Sequence, residues 1–374
     1  MEIGIFTFWS SKDNYGQILQ SFALQYFLNL QENINAEVIR YYSTKESLLT
    51  RLKTSIKQIL LRICPIIDRR LALKYNKIQE RSFDTFKCKY INYSKSIYYG
   101  RNELNKNVQK YDVLIAGSDQ VWSMMLDNPQ NSVYFLDFGN RKQKRISYAA
   151  SFGLRTYPKE LKEKLKIQLA RFSAISVREK DGVSICNDCG CTAIQVFDPT
   201  LLLDKEVYLP FILSSRKEPY TFLYILNVSK DDVFWNKIRF CIKTNKILGT
   251  TASGYTSDQV ILDGVEYENS TIHQWMSNIA YADTVITTSF HGVVFSIIFQ
   301  KDFIFIPLKG KYAQSNNRVF DLLSKIELEN RILFNDSSIE CLLQNKIDYS
   351  VVEPKLKSFR NKSIEFLKEQ LLIK

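Results

Sequence analysis

Short runs rich in β-forming residues alternate with helical stretches along most of this 374-residue chain. This alternation predicts an α/β protein, because parallel strands are joined by crossover connections that are usually helices. The pattern opens with a predicted strand at 3–9 and a helix at 16–29, in which apolar residues recur at helical spacing. Further strands are predicted at 36–42, 111–116, 145–150, 174–177 and 193–197, with a helix at 158–172.

The same alternation starts again after Asp198-Pro199-Thr200. We therefore expect two Rossmann-like domains, at 1–203 and 204–350, that face each other across a cleft in a GT-B-like α/β fold. Ligands of open parallel sheets lie at the carboxyl ends of the strands, which places the expected site in that cleft. A final helix within 354–374 is expected to pack back on the first domain. In the second domain we predict strands at 221–226, 246–250, 284–287 and 303–307, and helices at 233–244, 270–281 and 293–299.

Composition indicates a soluble globular protein, with 45% hydrophobic and 24% charged residues. No apolar run reaches the ~18–20 residues that span a bilayer, and the first residues do not resemble a signal peptide. The seven cysteines are odd in number and irregularly spaced, which argues against a disulfide framework. Cys186, Cys189 and Cys191 lack a second ligand pair, so we expect no metal site. A cytoplasmic location follows as the expectation.

The net charge of +12 is concentrated in residues 51–90, which hold eleven Lys or Arg and three acidic residues. Apolar residues recur every three or four positions from Leu52 to Ile67, so one face of a helix here would be apolar. Such a helix packs against the core or lies on an anionic membrane surface, and both alternatives stay open. No nucleic-acid-binding motif accompanies the charge, and we expect no nucleic-acid partner.

Polar residues follow several of the predicted strands, where function usually lies in this fold class. The segment NYGQ at 14–17 opens a helix, so free N–H groups at Asn14 and Gly16 bind an anion, or Asp13 or Asn14 simply caps the helix, and both can hold together. The segment GSDQVW at 117–122 places Asp119, Gln120 and Trp122 after an apolar strand. There Asp119 accepts hydrogen bonds from a ligand and Trp122 offers a stacking surface, or the segment is a turn in which Asp119 caps its own backbone.

His291 is one of only two histidines and lies between an apolar strand and an apolar helix, in the segment TTSFHG at 287–292. A strand's carboxyl end beside a helix N-terminus is a place for binding anions and moving protons. The other histidine, His273, lies in an amphipathic helix and is expected to be structural. Arg178 also follows an apolar strand and offers a fork for a carboxylate or phosphate, unless it pairs with Glu179 or Asp181. Arg318 precedes another helix and is a second candidate of this kind.

These segments, taken in order, resemble the polysaccharide pyruvyl transferase family. They are NYGQ at 14–17, GSDQVW at 117–122, SYAASFG at 147–153, SVRE at 176–179, DPT at 198–200, SFHG at 289–292 and NR at 317–318. The resemblance implies a GT-B-like enzyme that takes a pyruvyl group from phosphoenolpyruvate and builds pyruvate ketals on capsule, exopolysaccharide or cell-wall sugars. No cofactor is implied beyond this donor, and a lipid-linked oligosaccharide is the expected acceptor.

Carried onto this chain, the resemblance implies that Arg178 holds the donor's anionic groups and that His291 is the catalytic histidine. Some members have an arginine two residues before the histidine, where this chain has Ser289. Arg318, Lys309 and Lys311 are the candidates for the missing cation. We assign Arg178 and His291 to catalysis; donor binding to these two with Asn14, Gly16, Ser289, Gly292 and Arg318; and acceptor binding to Asp119, Gln120 and Trp122.

Two other classes of protein fit parts of the sequence. A GT-B glycosyltransferase would use a nucleotide sugar and needs a carboxylate–arginine set in the second domain, of which Glu266 and Glu268 give only a weak indication. A non-catalytic, membrane-associated assembly protein would explain the basic segment 51–90, but Arg178 and His291 argue against it. The family resemblance favours the pyruvyl transferase.

Overall fold

The computed structural model describes residues 1–44, 80–123, 126–214, 218–228, 233–242, 246–251 and 261–372. Its first sheet has seven parallel strands in the order β3-β2-β1-β4-β5-β6-β7. The second sheet has five parallel strands in the order β10-β9-β8-β11-β12. The strands are β1 (Glu2–Phe6), β2 (Asn35–Tyr42), β3 (Tyr93–Tyr99), β4 (Val113–Ala116), β5 (Lys144–Ala150), β6 (Ala174–Val177), β7 (Ala193–Gln195), β8 (Tyr220–Tyr224), β9 (Lys246–Thr250), β10 (Glu266–Glu268), β11 (Thr284–Thr287) and β12 (Asp302–Phe305).

Helices connect the strands, as parallel pairing requires. Strands β4 and β11 are buried along their whole length, because both faces of each sheet are covered. The two parallel-sheet α/β domains confirm the predicted fold class. The α-helices are α1 (Tyr15–Asn29), α2 (Phe83–Tyr90), α3 (Gly100–Asn107), α4 (Lys162–Leu169), α5 (Lys180–Asp188), α6 (Lys205–Tyr208), α7 (Trp235–Cys241), α8 (Ile272–Ala280), α9 (Phe290–Ile298), α10 (Asn317–Lys325), α11 (Ile339–Gln344) and α12 (Tyr349–Leu371).

Several element boundaries differ from the sequence-based predictions. The first strand ends at Phe6 rather than at residue 9. Helix α9 begins at Phe290, three residues before the predicted start, because Ser289 caps it. Helix α12 begins at Tyr349 and contains Pro354 inside it. Pro354 is the sixth helical residue, so it removes one intrahelical hydrogen bond, to the carbonyl of Ser350, and the helix nevertheless continues past it.

The two sheets share one hydrophobic core that includes residues of both domains. Tyr15, at the start of α1, stacks on Trp275 of α8 with ring centroids 5.0 Å apart. The Tyr15 hydroxyl donates to the Ser270 carbonyl at 2.5 Å. Arg81 extends this contact, since it donates to the Thr251 carbonyl at 2.7 Å and lies over the Tyr15 ring. These buried contacts fix how the two sheet edges face each other.

The last helix, α12, packs against residues of the first domain. The Ser363 hydroxyl accepts from the Phe197 N–H at 3.0 Å, and Arg360 donates to the Leu201 carbonyl at 2.7 Å. The Phe359 ring lies 4.4 Å from that of Phe197. The chain therefore crosses back from the second domain to the first.

Most of the basic segment 51–90 lies outside the described residues, and so does the apolar stripe from Leu52 to Ile67. Within its described part, Arg81 is 1% exposed, and Lys87 donates to the Ser11 carbonyl at 2.8 Å. These two basic residues serve the fold rather than a charged outer surface. No helix in the described ranges is long and apolar enough to cross a membrane.

Candidate active site

The site lies where the carboxyl edges of the two sheets meet. In the first sheet, Ala116 at the end of β4 is in register with Phe6 of β1 and Ser147 of β5. In the second sheet, Thr287 at the end of β11 is in register with Tyr224 and Phe305. The strand order reverses between β1 and β4 and between β8 and β11, and ligands of such sheets bind at these switch points.

Asp198 is the centre of the hydrogen-bond network in this site. It is fully buried and accepts from Arg178 Nη1 at 3.0 Å and from the Ser118 hydroxyl at 3.2 Å. Thr200 donates to its other oxygen through the backbone N–H and the hydroxyl. Burial alone would raise the pKa of Asp198, but His291, Arg178 and Thr200 together hold it well below its usual range. Asp198 is therefore ionised at neutral pH.

His291, from the second domain, lies beside Asp198 in this site. It lies in the first turn of α9, whose cap residue Ser289 accepts from the Gly292 N–H. Its Nε2 lies 3.6 Å from the Asp198 carboxylate, and its side chain is 11% exposed. Gly292 allows the first turn of α9 to pack closely against the end of β11, because a Cβ there would lie 2.3 Å from the Thr287 hydroxyl oxygen. The imidazole thus faces the buried carboxylate of the other domain.

Gly16, at the start of α1, forms the second wall beside His291. A Cβ on Gly16 would lie 2.0 Å from His291 Nδ1, so only glycine leaves space for the imidazole. Asn14 precedes it and accepts from the Gln17 N–H at 3.1 Å, which makes it the helix cap. The segment at 14–17 therefore contributes to the site mainly through close packing against the histidine.

Two arginines lie beside the Phe290 ring. The guanidinium carbons of Arg178 and Arg318 are 4.9 and 5.6 Å from its centroid. Burial, and then the positive charge of Arg178, lower the pKa of Arg318 to about 10. Within the described part of the chain, Nε and Nη2 of Arg178 are buried without a hydrogen-bond partner. Buried N–H donors are costly when unpaired, so this pair of arginines suits an anionic ligand.

Glu179 fixes the loop that follows β5. Its Oε1 accepts from the Ser151 hydroxyl at 2.7 Å and from the N–H groups of Phe152 and Gly153. Its Oε2 lies 3.8 Å from Arg178 Nε, too far for a hydrogen bond but close enough for charge attraction. Glu179 therefore supports the position of Arg178, whereas the direct hydrogen-bond partner of Arg178 is Asp198.

The three predicted acceptor residues lie in different environments. Asp119 has a positive φ of 85°, and its Oδ1 accepts from the Gln120 N–H at 2.8 Å. Its Oδ2 has no partner within the described residues, so one acceptor atom remains for a ligand. Gln120 packs against Gly153. These two side chains border the charged cluster.

Trp122 is not a stacking surface, and that prediction is wrong. Its ring is fully buried, lies parallel to Phe135 with centroids 5.3 Å apart, and contacts Phe152 and Phe172. Its indole N–H donates to the Tyr134 carbonyl. The three aromatic residues that surround the ring come from later in the chain, so the sequence around Trp122 does not indicate its burial.

Arg318 is the candidate cation that reaches the cluster in place of the arginine absent at Ser289. Its Nε donates to the Ser315 carbonyl at 3.2 Å, which aims the rest of the guanidinium at Phe290. Lys309 instead lies 5.4 Å from the Phe234 ring. The Lys311 side chain lies outside the described atoms.

The sequence motifs include Asp198 and Ser118 without a role, and Glu179 only as an alternative ion-pair partner of Arg178. Asp198 is 80 residues from Ser118 and 20 from Arg178, so no local pattern joins them. The sequence does contain one signal for Asp198, because this acidic residue directly follows the predicted strand at 193–197. Polar residues at the ends of other strands were candidates for the site on the same ground. No group of three metal-ligating side chains is found in the described residues.

Two facing Rossmann-like sheets with a charged cluster between them define a GT-B-like protein. The polysaccharide pyruvyl transferase model matches residues 14–310, and the chain belongs to that family. The resemblance drawn from the sequence motifs is thus confirmed. No curated protein sequence matches the chain.

Two solved structures with the same fold contain a nucleotide ligand. The UDP-GlcNAc 2-epimerase of Neisseria meningitidis, bound to UDP-GlcNAc, is 10% identical, with a TM-score of 0.52 over 100% of both chains. S. aureus MnaA, in a co-structure with UDP, is 10% identical, with a TM-score of 0.50 over 99% of this chain and 96% of its own. At this identity the similarity concerns the fold alone.

Proposed function

We propose that this chain transfers the pyruvyl group of phosphoenolpyruvate to two hydroxyls of one sugar and forms a cyclic pyruvate ketal. The observation that carries the proposal is the pair Arg178 and Arg318 beside Phe290 and His291, in which Nε and Nη2 of Arg178 are buried without a partner among the described residues. Phosphoenolpyruvate carries a carboxylate and a phosphate, and two guanidinium forks match two such groups. Family membership supports the same reaction class.

The reaction needs proton transfers in both directions. A proton added to the methylene carbon of the donor makes the neighbouring carbon electrophilic, and a sugar hydroxyl attacks that carbon and loses its proton. The carbon–oxygen bond to phosphate breaks, inorganic phosphate leaves, and a second hydroxyl attacks and loses its proton. One of the two released protons restores the acid and the other is taken up by the departing phosphate, so the sum is one ketal and one hydrogen phosphate. A general acid and base at the reacting carbon would contribute a factor of ~10²–10⁴.

His291 is the residue that can pass these protons. Its Nε2 lies 3.6 Å from Asp198, whose ionised carboxylate offsets the positive charge when the imidazole carries a proton. Gly16 and Asp198 position the ring from two sides. Arg178 is proposed to serve two groups: Nη1 pairs with Asp198, and Nε and Nη2, which have no hydrogen-bond partner among the described residues, would bind the donor.

The acceptor is proposed to be a membrane-linked oligosaccharide. Asp119 Oδ2 and the Gln120 side chain are the polar groups offered to its hydroxyls. Attachment to an anionic membrane surface through segment 51–90 belongs to this proposal, although most of that segment lies outside the described residues. Co-sedimentation with anionic but not neutral vesicles, lost at high salt, is the expected result.

The direct test supplies labelled phosphoenolpyruvate with a panel of lipid-linked oligosaccharides. The proposed reaction releases one phosphate per product and adds the label to the glycan, as mass spectrometry would show. A parallel reaction supplies UDP-sugars in place of phosphoenolpyruvate. Release of UDP with sugar transfer, and no phosphate from phosphoenolpyruvate, would overturn the proposal in favour of a glycosyltransferase.

A further inference from the structure

A second cavity lies at the carboxyl ends of β1 and β2, beside the charged cluster but outside it. Its volume is about 280 Å³, just below the range of ~300–1,000 Å³ that is usual for ligand sites. Thr7, Ser118 and Asp198 form a chain of hydrogen bonds from the cavity to the charged cluster. Thr7 lines the cavity and donates to the Ser118 carbonyl at 2.9 Å, while the Ser118 hydroxyl donates to Asp198.

Aromatic rings form much of the cavity wall. The Trp9 ring is fixed, because its indole N–H donates to the Tyr41 carbonyl at 3.0 Å and its centroid lies 5.0 Å from that of Tyr42. On the other side, Phe8 and Tyr134 meet edge to face at 5.2 Å. Tyr42 remains 40% exposed, so part of its ring is open to a ligand. Fixed aromatic rings of this kind pack well against the apolar faces of sugar rings.

The remaining lining groups are polar and uncharged. They are the side-chain amides and hydroxyls of Thr7, Ser10, Ser43, Asn128, Gln130 and Asn131. None of the described residues that line this cavity is charged at neutral pH. An anionic donor would find no counter-charge here, whereas a neutral ligand rich in hydroxyl groups would find aromatic surface and amide partners.

A neighbouring cavity extends this surface away from the charged cluster. It shares Tyr41, Ser43 and Gln130 with the first cavity and continues to the ion pair of Arg101 with Asp137. A ligand longer than one ring could therefore continue along this side of the first domain.

We propose that the cavity lined by Trp9, Tyr42, Tyr134 and Gln130 binds a neutral hexose unit of the acceptor glycan, next to the unit that is modified. This inference rests on the proposed function for its role in the reaction, but the binding itself can be measured without phosphoenolpyruvate. In this inference Trp9 and Tyr42 provide the aromatic contact with the sugar that was expected from Trp122, whose ring is buried.

The test compares Tyr42→Ala with Tyr281→Ala. The two tyrosines are matched, because they are 40% and 41% exposed, and Tyr281 lies in the second domain away from this cavity. Binding of methyl hexosides and short neutral oligosaccharides is measured by saturation-transfer NMR. Gln130→Ala, at an exposed residue, is a second cavity variant, and circular dichroism checks that each variant is folded.

Sugar binding by the unmodified chain should weaken at least tenfold in Tyr42→Ala and in Gln130→Ala and stay unchanged in Tyr281→Ala. Equal binding by all four proteins, or no binding of any sugar to the unmodified chain, would overturn the inference. If phosphoenolpyruvate releases no phosphate while sugar binding still depends on Tyr42, the cavity assignment stands and the proposed reaction fails. If phosphate is released, the acceptor KM should rise in Tyr42→Ala with the donor KM unchanged.

Discussion

At the edge of the first sheet the charged side chains of the site bond to one another, whereas at the edge of the second sheet they mainly contact an aromatic ring and a glycine. Asp198 accepts from Arg178, Ser118 and Thr200, and Glu179 holds the loop after β5. In the second domain, His291 and Arg318 lie beside Phe290 with few hydrogen bonds of their own.

This difference indicates that Asp198 at the first edge and His291 at the second have different roles. Asp198 is buried and bonded on both oxygens, and such a charge is costly to disturb, so Asp198 and its partners form a fixed electrostatic frame at the first edge. Polar atoms without partners are the ones a substrate can use, and in the described part of the chain these include Nε and Nη2 of Arg178 at the first edge and Nε2 of His291 at the second. Substitution of Asp198 should therefore affect stability most, and substitution of His291 should affect turnover most.

The largest effect on turnover is expected for His291→Ala. Loss of the proton-transfer group should lower kcat by ~10²–10⁴ while the free energy of unfolding changes little. Phosphate release from phosphoenolpyruvate, together with thermal unfolding, measures both. His273→Ala is the matched control, because His273 is the chain's other histidine and packs among the rings of Phe86, Tyr90 and Phe211. Near-normal turnover in a folded His291→Ala variant would contradict the assignment.

Asp198→Asn tests the frame at the first edge. Removing one partner of a buried ion pair leaves Arg178 uncompensated, and the free energy of unfolding should fall by about 3–5 kcal/mol. The pKa of Asp198 is depressed in the folded state, so its stabilising contribution is complete above the ordinary aspartate pKa of about 4 and is lost as pH falls below it. Denaturant unfolding between pH 7 and pH 3 should therefore show a shallower acid-induced loss of stability in the variant.

Asp204→Asn provides the comparison for this measurement. Asp204 also pairs with an arginine, Arg360, but its side chain is 67% exposed. An exposed ion pair contributes ~0–1 kcal/mol, so this variant should remain close to the unmodified chain. Equal losses in the two variants would mean that Asp198 is not the centre of a buried frame.

Much of the fold followed from the sequence because buried parallel strands are continuous apolar runs. The strands that were not predicted, β3 and β10, lie at sheet edges, and β10 has only three residues. An edge strand is partly solvated, so its sequence lacks the apolar run that identifies a central strand. Tyr93–Tyr99 shows this, since residues of β3 at its centre are exposed.

The sequence predicts only those site residues that directly follow an apolar strand. Arg178 and His291 were found because each follows an apolar strand, and the structure brings both to Asp198. The partner Asp198 and the packing of Gly16 on His291 depend on contacts between distant segments, which no local pattern contains. Trp122 failed for the same reason, because its surroundings come from later parts of the chain.

Gly16→Ala tests whether the two edges are in direct contact. The added Cβ would lie 2.0 Å from His291 Nδ1, so the ring must move. A displacement near 1 Å at a catalytic group can cost ~10² in rate. Alanine also favours a helix over glycine by ~1 kcal/mol, so lost turnover need not come from a weaker helix. In a His291→Ala background the same substitution should cost nothing further, and an additive loss would place the effect elsewhere.

The smallest effect is expected for Arg318→Lys, which asks whether Arg318 replaces the arginine absent at Ser289. Lysine keeps the charge but loses the planar fork, so the donor KM should rise about tenfold, or ~1.4 kcal/mol, with kcat little changed. Steady-state phosphate release at varied phosphoenolpyruvate measures this. Lys309→Ala is the control, because Lys309 lies over the Phe234 ring rather than beside Phe290. A raised donor KM in Lys309→Ala, with Arg318→Lys unaffected, would assign the second cation to Lys309 and remove Arg318 from the donor site.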